Sequence, residues 1–177
     1  MGLIPTVVDC ARTVWHAAYD DLLPAGQVEY MLARRTEHAA LATYVGATDR
    51  WFDVALADSG GSDPAQVQAD PGGSDGVDDM VVLGYTSCRL QTPSTLRLEQ
   101  IYLMPGLWGQ GLADALLERV LDHARDCGAH AVDLTVNRGN ARALAFYHKR
   151  HFVLTEEIVT DIGGGFVMDD YVLMRKF

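Results

Sequence analysis

Apolar residues recur at three- and four-residue intervals near the start of the chain, which predicts helices. Val7, Cys10, Ala11, Val14, Ala17 and Ala18 mark one face, with Trp15 and Tyr19 as an aromatic line one turn apart. Pro24 biases Leu23 away from the helical region and ends this helix. The same proline suits the first turn of a second helix, whose apolar face is Val28, Met31 and Leu32. A third helical piece is expected over 36–45, on Ala39, Ala40 and Ala42. The period then drops to two. Phe52, Val54 and Leu56 alternate with Asp53, Ala55 and Ala57, which predicts a strand.

Between Asp58 and Asp79 the pattern dissolves into Gly, Asp and Ser with Pro64 and Pro71, so an insertion loop too polar to pack is expected there. Met80 to Leu90 and Leu96 to Met104 read as two more strands around the turn Gln91–Ser94. In the second of these Ile101 and Leu103 fill the other face, so its end is expected to be buried on both sides. Leu112, Leu116 and Val120, with Ala113, Leu117, Leu121 and Ala124, form the wide stripe of a long helix. Gly128 suits its C-terminal cap. Ala131 to Val136 is a short buried strand, and Asn140 can cap a helix facing inward through Leu144, Ala145 and His148. Phe152–Thr160 and Phe166–Phe177 complete the pattern as two strands around a glycine turn. Strand, helix, strand with helices on either side predicts an α/β fold, a mixed sheet with a parallel pair at its centre.

Length and charge narrow the function classes. The 177 residues, 49% of them hydrophobic, fit one domain spanning 1–177. No apolar run approaches the ~18 residues of a membrane span. A net charge of −10 argues against nucleic acid and anionic membrane as partners. It suits a cationic substrate, or solubility alone. Cys10, Cys88 and Cys127 are widely separated and, with the scattered histidines, show no metal spacing, so no metal is expected. Free thiols and the absence of a basic leader segment predict a cytoplasmic protein.

The candidate chemistry lies where the third strand meets the long helix. Pro105 stops the strand. Gly106, Gly109 and Gly111 permit positive φ and put no Cβ between backbone and ligand. A helix N-terminus after such a loop offers unpaired N–H groups and a partial positive charge, which suit phosphate. The same residues also suit a plain helix start.

Trp108-Gly109-Gln110-Gly111-Leu112-Ala113 resembles the cofactor loop of the GCN5-related N-acetyltransferase (GNAT) superfamily: Arg or Gln, two residues, Gly, one residue, Gly or Ala, then a helix. Trp108 replaces the first position and the last two match. A second block, Val136-Asn137-Arg138-Gly139-Asn140-Ala141-Arg142-Ala143-Leu144-Ala145-Phe146-Tyr147, resembles the family's asparagine-to-tyrosine segment. His151-Phe152 stands where the family carries Gly-Phe. The start around Trp15–Tyr19 and the end around 161–171 are similar to the PaiA-type polyamine acetyltransferase branch.

The resemblance implies a sheet of about seven strands, mostly antiparallel, with its central parallel pair splayed by a bulge. It implies acetyl transfer from acetyl-CoA, as co-substrate, to a primary amine of a cationic small molecule such as a polyamine, by direct attack in a ternary complex. Trp108, Gly109, Gln110, Gly111, Leu112 and Ala113 would hold the diphosphate, chiefly through backbone N–H groups. Ile101, Tyr102 and Leu103 would bind the pantetheine arm and thioester, and Asn140 and Ala143 would touch the same arm. Tyr147 would border the cofactor and protonate the leaving thiolate, and Glu99 would take the amine's proton, directly or through water. Trp15 and Tyr19 would wall the acceptor, with Asp20, Asp21, Asp169 or Asp170 on a second ammonium. Peptide, protein or aminoglycoside amines are alternative acceptors, a catalytically degenerate acetyl-CoA sensor is an alternative function, and a homodimer is common in the superfamily.

Overall fold

The computed structural model describes residues 4–35, 41–44, 46–58, 66–69 and 80–177. Among these, helices α1 (Ile4–Tyr19), α2 (Gln27–Arg35), α3 (Leu112–Asp126) and α4 (Ala141–His148) surround one seven-stranded sheet. Its strands are β1 (Arg50–Asp58), β2 (Gln66–Ala69), β3 (Met80–Thr92), β4 (Thr95–Leu103), β5 (Ala131–Asn137), β6 (Val153–Gly163) and β7 (Phe166–Lys176). They lie in the order β2-β1-β3-β4-β5-β7-β6. Only β4 and β5 run parallel among the described pairs, as strand–helix–strand connectivity requires.

Three expectations change. Gln66–Ala69, expected to be loop, pairs with β1 as an edge strand, because backbone hydrogen bonding to an open edge does not need an apolar side. The second helix begins at Gln27 rather than at Pro24, since Gly26 takes φ +82° just before it. Of the third helical piece, 36–40 and 45 lie outside the described residues, and Leu41–Ala42 are helical before a turn.

Helices pack on both faces of the sheet. Val7, Ala11, Val14 and Trp15 of α1 pack with Phe52, Val54, Leu56 and Tyr85. Leu117, Val120 and Leu121 of α3 and Tyr147 of α4 pack with Leu96, Leu98 and Leu134. The stripe expected on α3 is the buried one, at Leu116, Leu117, Val120, Leu121 and Ala124. Trp15 belongs to this interior: it is 1% exposed and its indole N–H donates to the Tyr85 hydroxyl at 3.2 Å. Burial pushes the Cys10 thiol up to about 12 and the Cys88 thiol higher, so both stay protonated and inert. Among the described residues no helix is long and apolar enough to cross a membrane.

The centre of the sheet is split. β4 and β5 pair from Thr95–Ala131 to Leu98–Leu134 and no further. On the other side of β4, Cys88 faces Leu98 and Ser87 faces Gln100. Glu99 is therefore the extra residue of a bulge, and a bulge bends its strand. Beyond it β4 stays with β3 while β5 follows β7 to Asn137, which leaves backbone exposed between them. Gly84 of β3 lets β4 approach it closely at that end, since a Cβ there would meet the Tyr102 carbonyl.

His151 is the one non-glycine residue with positive φ among the described residues, at +64°, in the turn into β6. Its side chain is exposed, so it holds the left-handed conformation without compensating packing. His151→Gly is expected to raise stability by about 0.5–1 kcal/mol, the left-handed penalty less glycine's extra unfolded-chain entropy, read as an increase in urea midpoint at unchanged slope.

Candidate active site

The gap between the splayed strands is a cavity of about 190 Å³. Glu99, Ile101, Tyr102 and Leu103 of β4, Trp108 and Gly109 of the glycine loop, Ala113 of α3, and Asn140, Ala143 and Tyr147 of α4 line it. Tyr19 reaches in from the end of α1, its hydroxyl 3.0 Å from that of Tyr102. Gln110 and Gly111 of the loop and Leu112 at the start of α3 sit beside the cavity rather than in its wall.

The loop is built to present backbone. Gly106, Gly109 and Gly111 all have positive φ, and Gln110 Nε2 donates to the Gly106 carbonyl at 2.9 Å, closing the turn. Gly111 caps α3 without a side-chain acceptor, and the first bond back to it comes from Asp114 N–H. The N–H groups of Leu112 and Ala113 thus sit at the positive end of a 15-residue helix with no acceptor supplied by the cap.

Two side chains complete the wall that sequence motifs alone left open. Arg142, one residue into α4, lays its guanidinium 3.5 Å from the centre of the exposed Trp108 ring. Burial lowers its pKa, but a guanidinium remains charged. A cation from another element is thus seated on the tryptophan that stands at the motif's Arg or Gln position. Phe146 lines the cavity and packs edge-on against Tyr147. Neither was identified as a site residue from sequence, although Arg142 stands in the quoted segment two residues after Asn140.

Tyr147 is 6% exposed, its ring held between Phe146 and Phe152. Burial, and then the nearby Tyr19, push its phenol well above the usual range, so it keeps its proton at neutral pH. Asn140 Oδ1 accepts from Ala143 N–H at 3.0 Å as the cap of α4, which leaves its amide nitrogen for the cavity it lines.

A second cavity, of about 620 Å³, opens on the α1–α2 side of the sheet. It shares Leu98, Glu99, Gln100 and Thr135 with the first, so the two meet at the bulge. Arg34, Arg50, Arg89, Arg97 and Tyr44 form its polar wall. Glu99 is the one carboxylate in either lining among the described residues. Its two oxygens accept from Arg89 Nε and the Tyr44 hydroxyl, both at 2.7 Å. Burial and this carboxylate both push the Tyr44 phenol up, so it too remains a donor.

The remaining sequence-expected substrate residues are not brought here. Trp15 is interior. Asp20 pairs with His16 at 2.9 Å, Asp169 with Arg138 at 2.6 Å, and Asp170 is buried in β7, away from both linings. Asp21 lies in neither lining. No group of His, Cys, Asp and Glu that could hold a metal occurs among the described residues.

An open strand edge, helix-end amides beside an arginine, a buried phenol and one carboxylate together suit transfer of an acyl group from a phosphate-bearing carrier. Parts of the chain are similar in sequence to known proteins, and its fold is shared with a solved structure. An uncharacterised N-acetyltransferase of Mycobacterium tuberculosis is 36% identical over 95 residues, 54% of this chain and 60% of that protein. The L-amino acid N-acyltransferase MnaT of Escherichia coli is 34% identical over 58 residues, 33% of this chain and 34% of that one. The fold is that of the PaiA N-acetyltransferase of Thermoplasma acidophilum solved with coenzyme A, at TM-score 0.73 and 17% identity, covering 99% of this chain and 93% of that one. The Acetyltransferase (GNAT) family matches residues 15–152, and the chain belongs to that family.

Proposed function

We propose that this chain transfers an acetyl group from acetyl-CoA to a primary amine of a small molecule. The observation that carries the reading is the meeting of the two cavities at Glu99, one bordered by the glycine loop and the other open to the opposite face. The diphosphate rests on the amides of Gly109 to Ala113, and the pantetheine arm lies along Ile101 to Leu103 where β4 lacks a partner on the β5 side. A backbone N–H at the bulge polarises the thioester carbonyl. The amine nitrogen attacks the carbonyl carbon. A C–N bond forms, the C–S bond breaks, and the electron pair leaves with sulfur. Glu99 receives the proton lost by the amine, through water where needed, and Tyr147 gives its phenolic proton to the thiolate.

The polyamine expected from the resemblance has less support than a primary amine as such. Asp20 and Asp169 are paired elsewhere, and no aspartate lines either cavity among the described residues. Calorimetry with acetyl-CoA and an assay of free thiol release test the proposal together. Binding without turnover on any amine would instead indicate the sensor.

Two substitutions probe the halves of the site. Tyr147→Phe is expected to lower kcat by about tenfold, one general-acid contribution to a leaving group of pKa about 8.5 that can depart unprotonated. An unchanged kcat removes Tyr147 from the chemistry. Arg142→Ala is expected to weaken acetyl-CoA binding by about tenfold and to flatten its salt dependence, since one charge-assisted phosphate contact is worth about 1.5–3 kcal/mol. Calorimetry at two ionic strengths reads both effects.

A further inference from the structure

The second cavity carries a charge pattern that an acetyl-CoA site does not explain. Arg50 of β1 is the direct register partner of Arg89 of β3, and Arg89 is the direct partner of Arg97 of β4. Three guanidiniums therefore stand in one row across three adjacent strands. Like charges directly opposite one another destabilise a sheet. Each arginine of the row has one carboxylate, but the pairing weakens along it: Arg97 makes a bidentate pair with Asp133 at 2.7 and 2.6 Å, Arg89 pairs with Glu99, and Arg50 meets Asp49 through one contact at 3.3 Å. Arg34, above the row, donates to the Ile162 carbonyl and stacks on Tyr30, with no carboxylate partner among the described residues. Among the described residues four arginines thus answer to three carboxylates, in a chain whose 14 Lys and Arg are outnumbered by 24 Asp and Glu. Four cations gathered around one cavity of a net acidic protein suit an anion there.

We infer that the second cavity holds an acidic group of the acceptor, so that the amine acetylated at Glu99 belongs to a small molecule that also carries a carboxylate or a phosphate. The inference rests on the acetyl-transfer reading above and names its substrate class. The row starts two residues before the bulge on β4, so an anion held by Arg50 and Arg89 places an amine a few bonds away at the junction of the cavities. The acidic group itself makes and breaks no bond. Its role is to fix the direction from which the nitrogen approaches.

The test compares acceptors that share an amine and differ in charge, by thiol release from acetyl-CoA: L-methionine against L-methioninamide, 2-aminoethyl phosphate against ethanolamine, and spermidine. One member of an acid-bearing pair is expected to exceed its neutral partner by at least about tenfold in kcat/KM, and which pair does so distinguishes carboxylate from phosphate. Arg50→Gln is expected to raise KM for that acceptor about tenfold with kcat nearly unchanged, and Arg50→Lys to recover part of the loss. Equal use of acid and neutral partners, or preference for spermidine, overturns the inference. A separate readout survives the loss of turnover: inorganic phosphate titrated calorimetrically with CoA at saturation, so that the glycine loop is filled. Millimolar or tighter binding that weakens about tenfold in Arg50→Gln supports the anion site. No binding overturns it, whereas phosphate binding with no acetylation of any amine overturns only the acetyl-transfer reading.

Discussion

Glu99→Gln is expected to lower kcat/KM about a hundredfold, within the usual range for a general base. A carboxylate offers about four lone-pair sites. Arg89 and Tyr44 use one on each oxygen, which leaves room for the amine or a bridging water. Glutamine keeps the shape and can still accept from Tyr44, but it cannot take a proton. The fold should survive, because the Arg89–Glu99 pair is partly exposed, with 42% and 27% of the two side chains accessible, and such pairs contribute about 0–1 kcal/mol. The substitution also frees Arg89. If the second cavity binds the acid of the acceptor, KM should hold or fall while kcat drops, a split that mere damage to the site would not produce. A rate like that of the parent protein would reassign the base.

The parts of this site written within one element could be read from the sequence, and those written across elements could not. The glycine loop and the asparagine-to-tyrosine segment are each contiguous, so their residues reach the same cavity once α3 and α4 take their places. The α3 stripe was legible for the same reason, as a period along one helix. The arginine row was not. Arg50, Arg89 and Arg97 lie on three strands, and their alignment depends on a register that a bulge at Glu99 shifts by one residue. Trp15 misled in the opposite sense. Its spacing from Tyr19 suggested a shared aromatic wall, yet position 15 follows Ala11 and Val14 on the buried side of α1 while Tyr19 looks into the gap. Which aromatic is wall and which is core depends on where β3 sends Tyr85, not on the helix.

The same limit applies to Asp53, and Asp53→Ala carries the largest expected loss of stability. Alternation along β1 makes Asp53 the polar side of a half-exposed strand, but α3 covers that side and Asp53 is fully buried. Its Oδ1 accepts from Arg119 Nε at 3.1 Å and its Oδ2 pairs with His123 Nε2 at 2.8 Å. His123 is itself 8% exposed and stacks on Trp51 with ring centres 5.2 Å apart. The two partners lie one turn apart on α3, on the edge of its apolar stripe, so this carboxylate ties the helix that carries the glycine loop to the sheet. Removing one member of such a set leaves the others desolvated without compensation, which costs about 3–5 kcal/mol. Arg119 can turn toward water, since 36% of its side chain is accessible, so a value near the lower end, about 3 kcal/mol, is expected. Urea denaturation should show it as a lower midpoint at similar slope. Asp53→Asn, which retains an acceptor and the volume, should lose less. A loss under about 1 kcal/mol in Asp53→Ala would mean that α3 is held by its apolar stripe alone and that the ion pairs serve only to satisfy one another.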